Sequence, residues 1–342
     1  MRHLHHLPQS THDFHNQRML FTAVPYKLPP TFFLSEHTLM NFLFPLLAVL
    51  IWSVNAIVSK LSATAIDPAA ISFYRWLVAL LVLAPFALPG VWRHRQQIKQ
   101  LWWKLLVLGL LGMVMYQSLA YYAAHSVSAL FMGIIAALIP LLTVLLSMVV
   151  MRLAPTLGIL LGSLLSFSGL VWLVSQGDPA RILTQGLGKG EIMMFTASTS
   201  YALYGVLTRR WAIPLPNWQS LWMQILFGVL LLIPNFLLAT DVSLNAHNLP
   251  LVLFAAIPAS IVAPFLWIQG VMRLGASSTS IYMNLVPIFT AVIAVSFLHE
   301  TLHSYHFIGG GIALAGVILA QRLRTPLTGR KSPCTPGNKS PE

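Results

Sequence analysis

Residues 297–303 read FLHETLH, which sets His299, Glu300 and His303 in the order H-E-x-x-H. On a helix this spacing turns two imidazoles onto one face to hold zinc, with the glutamate as general base. Hydrolysis also needs a third protein ligand and an open position for water. His306 is nearby, but HETLHSYH lacks the longer spacing of the three-histidine zinc proteases. The two histidines also straddle the expected end of an apolar run, where the i, i+4 geometry is not secure. An intramembrane zinc metalloprotease built on His299, Glu300 and His303 is therefore the rival reading. The preferred one has no catalytic residue, no metal and no cofactor.

Other polar residues stand inside long apolar runs. Arg75, in FYRWLV, costs about 2.5–3.5 kcal/mol on insertion scales if it sits at mid-membrane, so it should face a cavity or a partner. One reading has it line a path and attract a carboxylate-bearing solute; the other has it snorkel to a nearby surface. Lys60 is expected at a helix end. There it either snorkels or pairs with Glu300 as a gate, and a carboxylate at such a gate can also carry a proton. Trp52, Asn55, Arg75, Tyr116, Gln117, Tyr201, Tyr204, Gln269, Tyr282 and Asn284 are the candidates for a solute cavity, because polar groups inside lipid need partners or water. Hydrogen bonds between helices use the same residue types and are the plainer alternative. Pro140 and Pro287 are candidate hinges or fixed kinks.

The elements that must position these groups follow from composition. The 342 residues are 57% hydrophobic and 8% charged, with a mean hydropathy of +0.75. Soluble domains carry about 25% charged residues, so the main solvent of this chain is a lipid bilayer. The net charge of +12 sits in short clusters between apolar runs, the pattern of membrane loops and not of a nucleic-acid surface. Cys334 is the one cysteine and supports neither a disulfide nor a cysteine zinc site. No phosphate-binding G-x-x-x-x-G-K-[ST] occurs, so the chain brings no ATPase of its own.

Residues 1–40, rich in histidine, are expected to be a disordered extension, and 324–342 a disordered cytoplasmic tail. Between them the sequence predicts an all-α membrane protein of ten transmembrane helices. They fall at about 42–60, 69–89, 104–123, 127–150, 156–175, 190–208, 218–239, 250–272, 276–298 and 305–323, each near the ~20 residues that cross a bilayer. The segment PGVWRHRQQIKQLWW reads as one of the longest connections. With the N-terminus inside, Lys60, Arg181 and Lys189 fall outside, Arg75 falls within a span, and every other basic residue falls inside. That bias predicts a multi-pass protein of the cell inner membrane with both termini cytoplasmic.

The chain also matches itself. One shift sets Trp52 on Tyr201, Lys60 on Arg209 and Pro85 on Pro234. A shift two residues shorter sets Pro140 on Pro287, Gly162 on Gly309 and Gly169 on Gly316. Two repeats, 41–175 and 190–323, each hold five helices. An odd number inverts the second in the membrane, a plan common among secondary transporters. The glycines give the fifth and tenth helices small faces for packing, with a homodimer through them as a further expectation.

The pieces LIWSVNAIVSK, ISFYRWLVALLVL, AALIPLLTVLLS, NLVPIFTAVIAVSFLHETL and FIGGGIALAGVIL, in this order and spacing, resemble the drug/metabolite transporter superfamily, specifically its bacterial EamA-type ten-helix members. The resemblance covers about residues 41–323. It implies a secondary transporter that exports small organic solutes (amino acids, related metabolites or drug-like compounds) by alternating access. It also implies that the first to fourth and sixth to ninth helices wall the cavity. That family commonly ends its fourth and ninth helices with a carboxylate. Glu300 fits in the second half, while Leu153 stands at the matching place in the first. A passive channel or a membrane scaffold is the remaining alternative.

Overall fold

The computed structural model describes residues 36–152 and 156–323. The expected extension and tail lie outside these residues, except that the first helix already begins at Glu36. The regular elements are helical throughout. Ten long helical segments follow one another: α1 Asn41–Ser62, α2 Pro68–Arg93, α3 Arg95–Ala123, α4 Ala129–Met151, α5 Leu157–Val174, α6 Lys189–Trp211, α7 Asn217–Leu237, α8 Leu249–Leu274, α9 Ser278–Leu298 and α10 Ser304–Arg322. Among the described residues, nine of these are long and apolar enough to cross a membrane; α6 is long enough but too polar, with Thr196, Ser198, Thr199 and Ser200 in its first half.

Local sequence sets the ends. Asp67 caps α2: its Oδ1 accepts from the Ala69 N–H at 2.8 Å, and Pro68 fills the first turn, where no amide donor is needed. Ser128 caps α4 by accepting from the Phe131 N–H at 3.0 Å. The expected connection after α2 is instead helical. α2 runs to Arg93 and α3 starts at Arg95. Gln, Lys and Arg are good helix formers, and here the cations lie over indoles: the Arg95 guanidinium is 5.1 Å from the Trp92 ring and the Lys104 amine 5.7 Å from the Trp103 ring.

The packing has two-fold character. α1 packs on α8 and α9, as α6 packs on α3 and α4, while α2 pairs with α7, α4 with α9 and α5 with α10. The α5–α10 contact is the tightest. A Cβ on Gly162 would lie 2.5 Å from the Gly316 carbonyl oxygen, and one on Gly169 2.6 Å from the Gly309 oxygen. Each glycine thus meets the counterpart of the other, the pattern that a two-fold axis imposes. Ser166 Oγ adds a hydrogen bond to the Ala313 carbonyl at 2.5 Å. The small faces are therefore used within the chain, and the outward faces of this pair carry Leu160, Leu164 and Phe307.

Irregularities also come in pairs. α3 contains a π-helical stretch at Gly109–Met115 and α8 one at Pro258–Val262. α4 and α9 are each broken before a second half, Ile139–Met151 and Val286–Leu298. Each second half has its proline, Pro140 or Pro287, in the first turn, and each ends on a left-handed residue, Arg152 at φ 54° and His299 at φ 53°. The two prolines start half-helices and do not kink continuous ones. Their missing N–H groups cost no helical bond there.

Candidate functional site

A cavity of about 1940 Å³ opens between the halves. Trp52, Asn55, Arg75, Tyr116, Gln117, Tyr201, Tyr204, Tyr282 and Asn284 all line it, as does Pro140. Gln269 does not. It lies two positions past the lining residue Trp267, about 200° around the helix, and so belongs to another face. The walls come chiefly from α1–α4 and α6–α9, with Thr156, Ile159, Leu314 and Arg322 closing the side at the end of the cavity that also holds Arg209.

Arg75 is the centre of the site. It is 2% exposed, which rules out the snorkelling alternative. α2 carries it about 10 Å past Pro68, and four neutral oxygens receive it. Nε donates to Ser260 Oγ at 2.7 Å. Nη1 faces Gln117 Oε1 at 2.8 Å, Tyr121 OH at 3.1 Å and Asn55 Oδ1 at 3.4 Å. Ser260 is held in turn by its own bond to the Ala255 carbonyl at 2.8 Å. α1, α2, α3 and α8 thus converge on one guanidinium. Ser260 belongs to the π-helical turn of α8, a distortion that often marks functional sites. Sequence reasoning missed Ser260 and Tyr121 as partners. The signal available was a serine just after Pro258 in an otherwise apolar span.

Two aromatic groups flank the network. Tyr116 lies 4.5 Å from Tyr201, which lies 5.4 Å from Tyr204. On the other side Trp52 lies 5.5 Å from Trp267, and its indole N–H donates to the Ala259 carbonyl at 3.3 Å. The cavity therefore offers π faces and alkyl groups around a single buried cation.

Against the two alternatives for Lys60, a snorkel or a pair with Glu300, the structure shows a third arrangement. Lys60 Nζ donates to the carbonyls of Ala124 at 2.7 Å and Val127 at 2.8 Å, after the end of α3. The Glu300 carboxylate accepts from the N–H groups of Ala129 at 2.8 Å and Leu130 at 3.1 Å, in the first turn of α4. The two side chains do not pair with each other; each binds the same connection, 124–130, from opposite ends. Each sign is matched to its helix terminus: cation on free carbonyls, anion on free amides. The cavity reaches toward this end only as far as Ser59. At the connection Ala129 packs with Ile57 and Ala294 in a buried apolar cluster. At the opposite end it runs out between Phe42, Met148, Arg209, Ser278 and Arg322.

This geometry also resolves the H-E-x-x-H pattern. α9 ends at Leu298, His299 is its left-handed cap, and His303 is the residue before α10. The pattern therefore spans a break between two helices, and its glutamate is spent on Ala129 and Leu130. His303 Nε2 lies 3.0 Å from Thr301 Oγ1, and its N–H donates to His306 Nδ1. Among the described residues no three His, Cys, Asp or Glu side chains come together as a metal site.

Comparison with known proteins gives a consistent picture. The profile of the EamA-like transporter family matches twice, over residues 39–175 and 188–321. An uncharacterized transporter of Archaeoglobus fulgidus is 28% identical over 279 residues, covering 80% of this chain and 94% of that protein. The uncharacterized transporter YyaM of Bacillus subtilis is 28% identical over 221 residues, covering 63% of this chain and 72% of that protein. A protein of Streptantibioticus cattleyicolor named "probable terminal-alkyne amino-acid exporter" is 27% identical, covering 79% of this chain and 89% of its own. A protein of known crystal structure has the same fold at 20% identity, with a TM-score of 0.55 over 82% of this chain and 96% of that one.

Proposed function

The chain belongs to the EamA-like transporter family, so it is a multi-pass membrane transporter and not an enzyme, and from that premise we propose that it exports a small organic solute by alternating access. The observation that carries the reading is the asymmetry of the cavity. It extends from Arg75 to the end that carries Arg209 and Arg322, and it stops at Ser59 below the connection held by Lys60 and Glu300. The bias of basic residues supports a wide end that faces the cytoplasm from the inner membrane, with both termini on that side. On this reading the structure corresponds to the inward-facing state, loaded from within.

The two repeats, 41–175 and 190–323, are inverted halves of ten spans that rock about the midplane site. The crosswise contacts of Gly162 with Gly316 and Gly169 with Gly309 support that relation. Lys60 and Glu300 serve as the outer gate, and the breaks before Pro140 and Pro287 as the points where α4 and α9 flex. Amino acids and related metabolites are the first solutes to test, since one relative is named as an amino-acid exporter. Any homodimer through α5 and α10 uses their outward leucines and phenylalanine, because their glycine faces are occupied within the chain.

The test is flux from proteoliposomes loaded with a mixture of labelled amino acids and carboxylic acids, with and without a pH gradient. Saturable efflux of at least one solute, with exchange against unlabelled solute, is expected. Flux equal to that of protein-free vesicles removes the transporter reading of this chain, and non-saturable flux without exchange makes it a channel.

A further inference from the structure

The buried cation has no anionic partner, and this says what the solute carries. Arg75 carries a guanidinium cation, and each of its four hydrogen-bond acceptors is neutral. Nη2 makes no hydrogen bond to the protein. Among the described residues no aspartate or glutamate lines the cavity, whereas Arg75, Arg209 and Arg322 do. Asp67 binds the α2 start and Thr240, Asp178 binds the Ala180 N–H, Asp241 binds Ser243 and Glu300 binds the α4 start, while Glu191 stands in the first turn of α6, away from the cavity lining. An uncompensated buried charge is expensive, and a cavity of one sign concentrates ligands of the other.

We infer that the transported solute is an organic monocarboxylate with an apolar or aromatic body and no ammonium group, its carboxylate seated on Arg75. This rests on the transporter reading and deepens it: of the amino acids and carboxylic acids in the flux test, it favours the carboxylic acids over the zwitterions. A single guanidinium with Nη2 free and Nη1 shared matches one carboxylate; a phosphate dianion calls for more donors than the network holds. The ammonium of a zwitterionic amino acid finds no carboxylate in the cavity, and a cationic solute meets three arginines. The rings of Trp52 and Trp267 on one side, and of Tyr116 and Tyr201 on the other, take the apolar body.

The experiment uses the purified full chain in a neutral detergent free of anionic lipid. Quenching of tryptophan fluorescence is titrated with four compounds of one skeleton: 3-phenylpropanoate, its neutral amide, the cation 3-phenylpropylamine and the zwitterion phenylalanine. The expected order has 3-phenylpropanoate at least tenfold tighter than the amide and than phenylalanine, with no saturable binding of the cation. The decisive variant is Gln117→Glu, which keeps the side-chain shape and supplies the absent carboxylate 2.8 Å from Nη1. It should bring the ratio of 3-phenylpropanoate affinity to amide affinity from at least tenfold to about one. If Gln117→Glu leaves the preference intact, Arg75 only braces the helices and the assignment fails. It fails equally if phenylalanine or the cation binds as well as 3-phenylpropanoate, or if 3-phenylpropanoate gives no saturable quenching. Because this is a binding measurement, intact anion selection without proteoliposome flux overturns the transporter reading alone.

Discussion

Replacing Tyr121 by phenylalanine removes one oxygen from the Arg75 network and almost nothing else, since the ring is 1% exposed and keeps its packing. A hydrogen bond to a charged group contributes about 1.5–3 kcal/mol. Tyr121→Phe should therefore lower the thermal midpoint of the detergent-solubilised chain, and an unchanged midpoint would mean that Arg75 is satisfied without it. Glu300 offers a second probe at this scale. Its two carboxylate oxygens hold Ala129 and Leu130. Glu300→Gln keeps one acceptor and turns an NH2 group toward the other amide, losing about 1.5–3 kcal/mol from the closed outer end. If Glu300 serves in the proposed gate, that loss shifts the balance between its closed and open states by roughly ten- to a hundredfold. The rate at which an impermeant maleimide reaches Ser59→Cys from the Glu300 side, with Cys334 replaced by serine, should rise accordingly. A rate equal to that of unmodified Glu300 would detach this carboxylate from gating.

At the scale of elements, α5 and α10 form a strut that tolerates no added atoms. A Cβ on Gly316 would stand 2.4 Å from the Ser166 nitrogen, which is backbone and cannot step aside. Overpacking of this kind costs about 1–3 kcal/mol. Gly316→Ala should lower the thermal midpoint, whereas Gly311→Ala, where a Cβ meets nothing within 4 Å, should not. The prolines carry a different expectation. Because Pro140 and Pro287 sit in first turns, replacing either by alanine should change stability by less than about 1 kcal/mol. An effect on flux without one on the midpoint would mark the break as a moving joint.

The sequence made the spans legible because each is a run of one solvent preference, and made the α5–α10 faces legible because the glycines recur. It hid the breaks in α4 and α9, since a proline in an apolar run reads equally as a kink or as the start of a helix. It hid the helical link from α2 into α3, since a basic, glutamine-rich stretch between apolar runs looks like a loop. Nine of the ten proposed cavity residues were readable as polar or aromatic positions in apolar runs. Gln269 was misplaced because composition does not give the rotation of a helix. The partners of Lys60 and Glu300 were unreadable because they are backbone groups, which no side-chain pattern announces.

For the whole molecule, the proposed alternating access makes the two-fold packing, the one-sided cavity and the doubly held 124–130 connection one half of a cycle. Under that proposal the other half is the same architecture with the halves exchanged: the 124–130 connection released and the end between Arg209 and Arg322 drawn together. Ser59 reports on this exchange because it lies in the cavity wall nearest the closed end and is 2% exposed. The most direct measurement is maleimide labelling of Ser59→Cys, in a chain whose Cys334 is serine, from each face of oriented membrane vesicles. Alternating access predicts labelling from both faces, fast from the face carrying Arg209 and slower from the face carrying Glu300. Labelling from the Arg209 face alone, under every solute and pH condition, would contradict it.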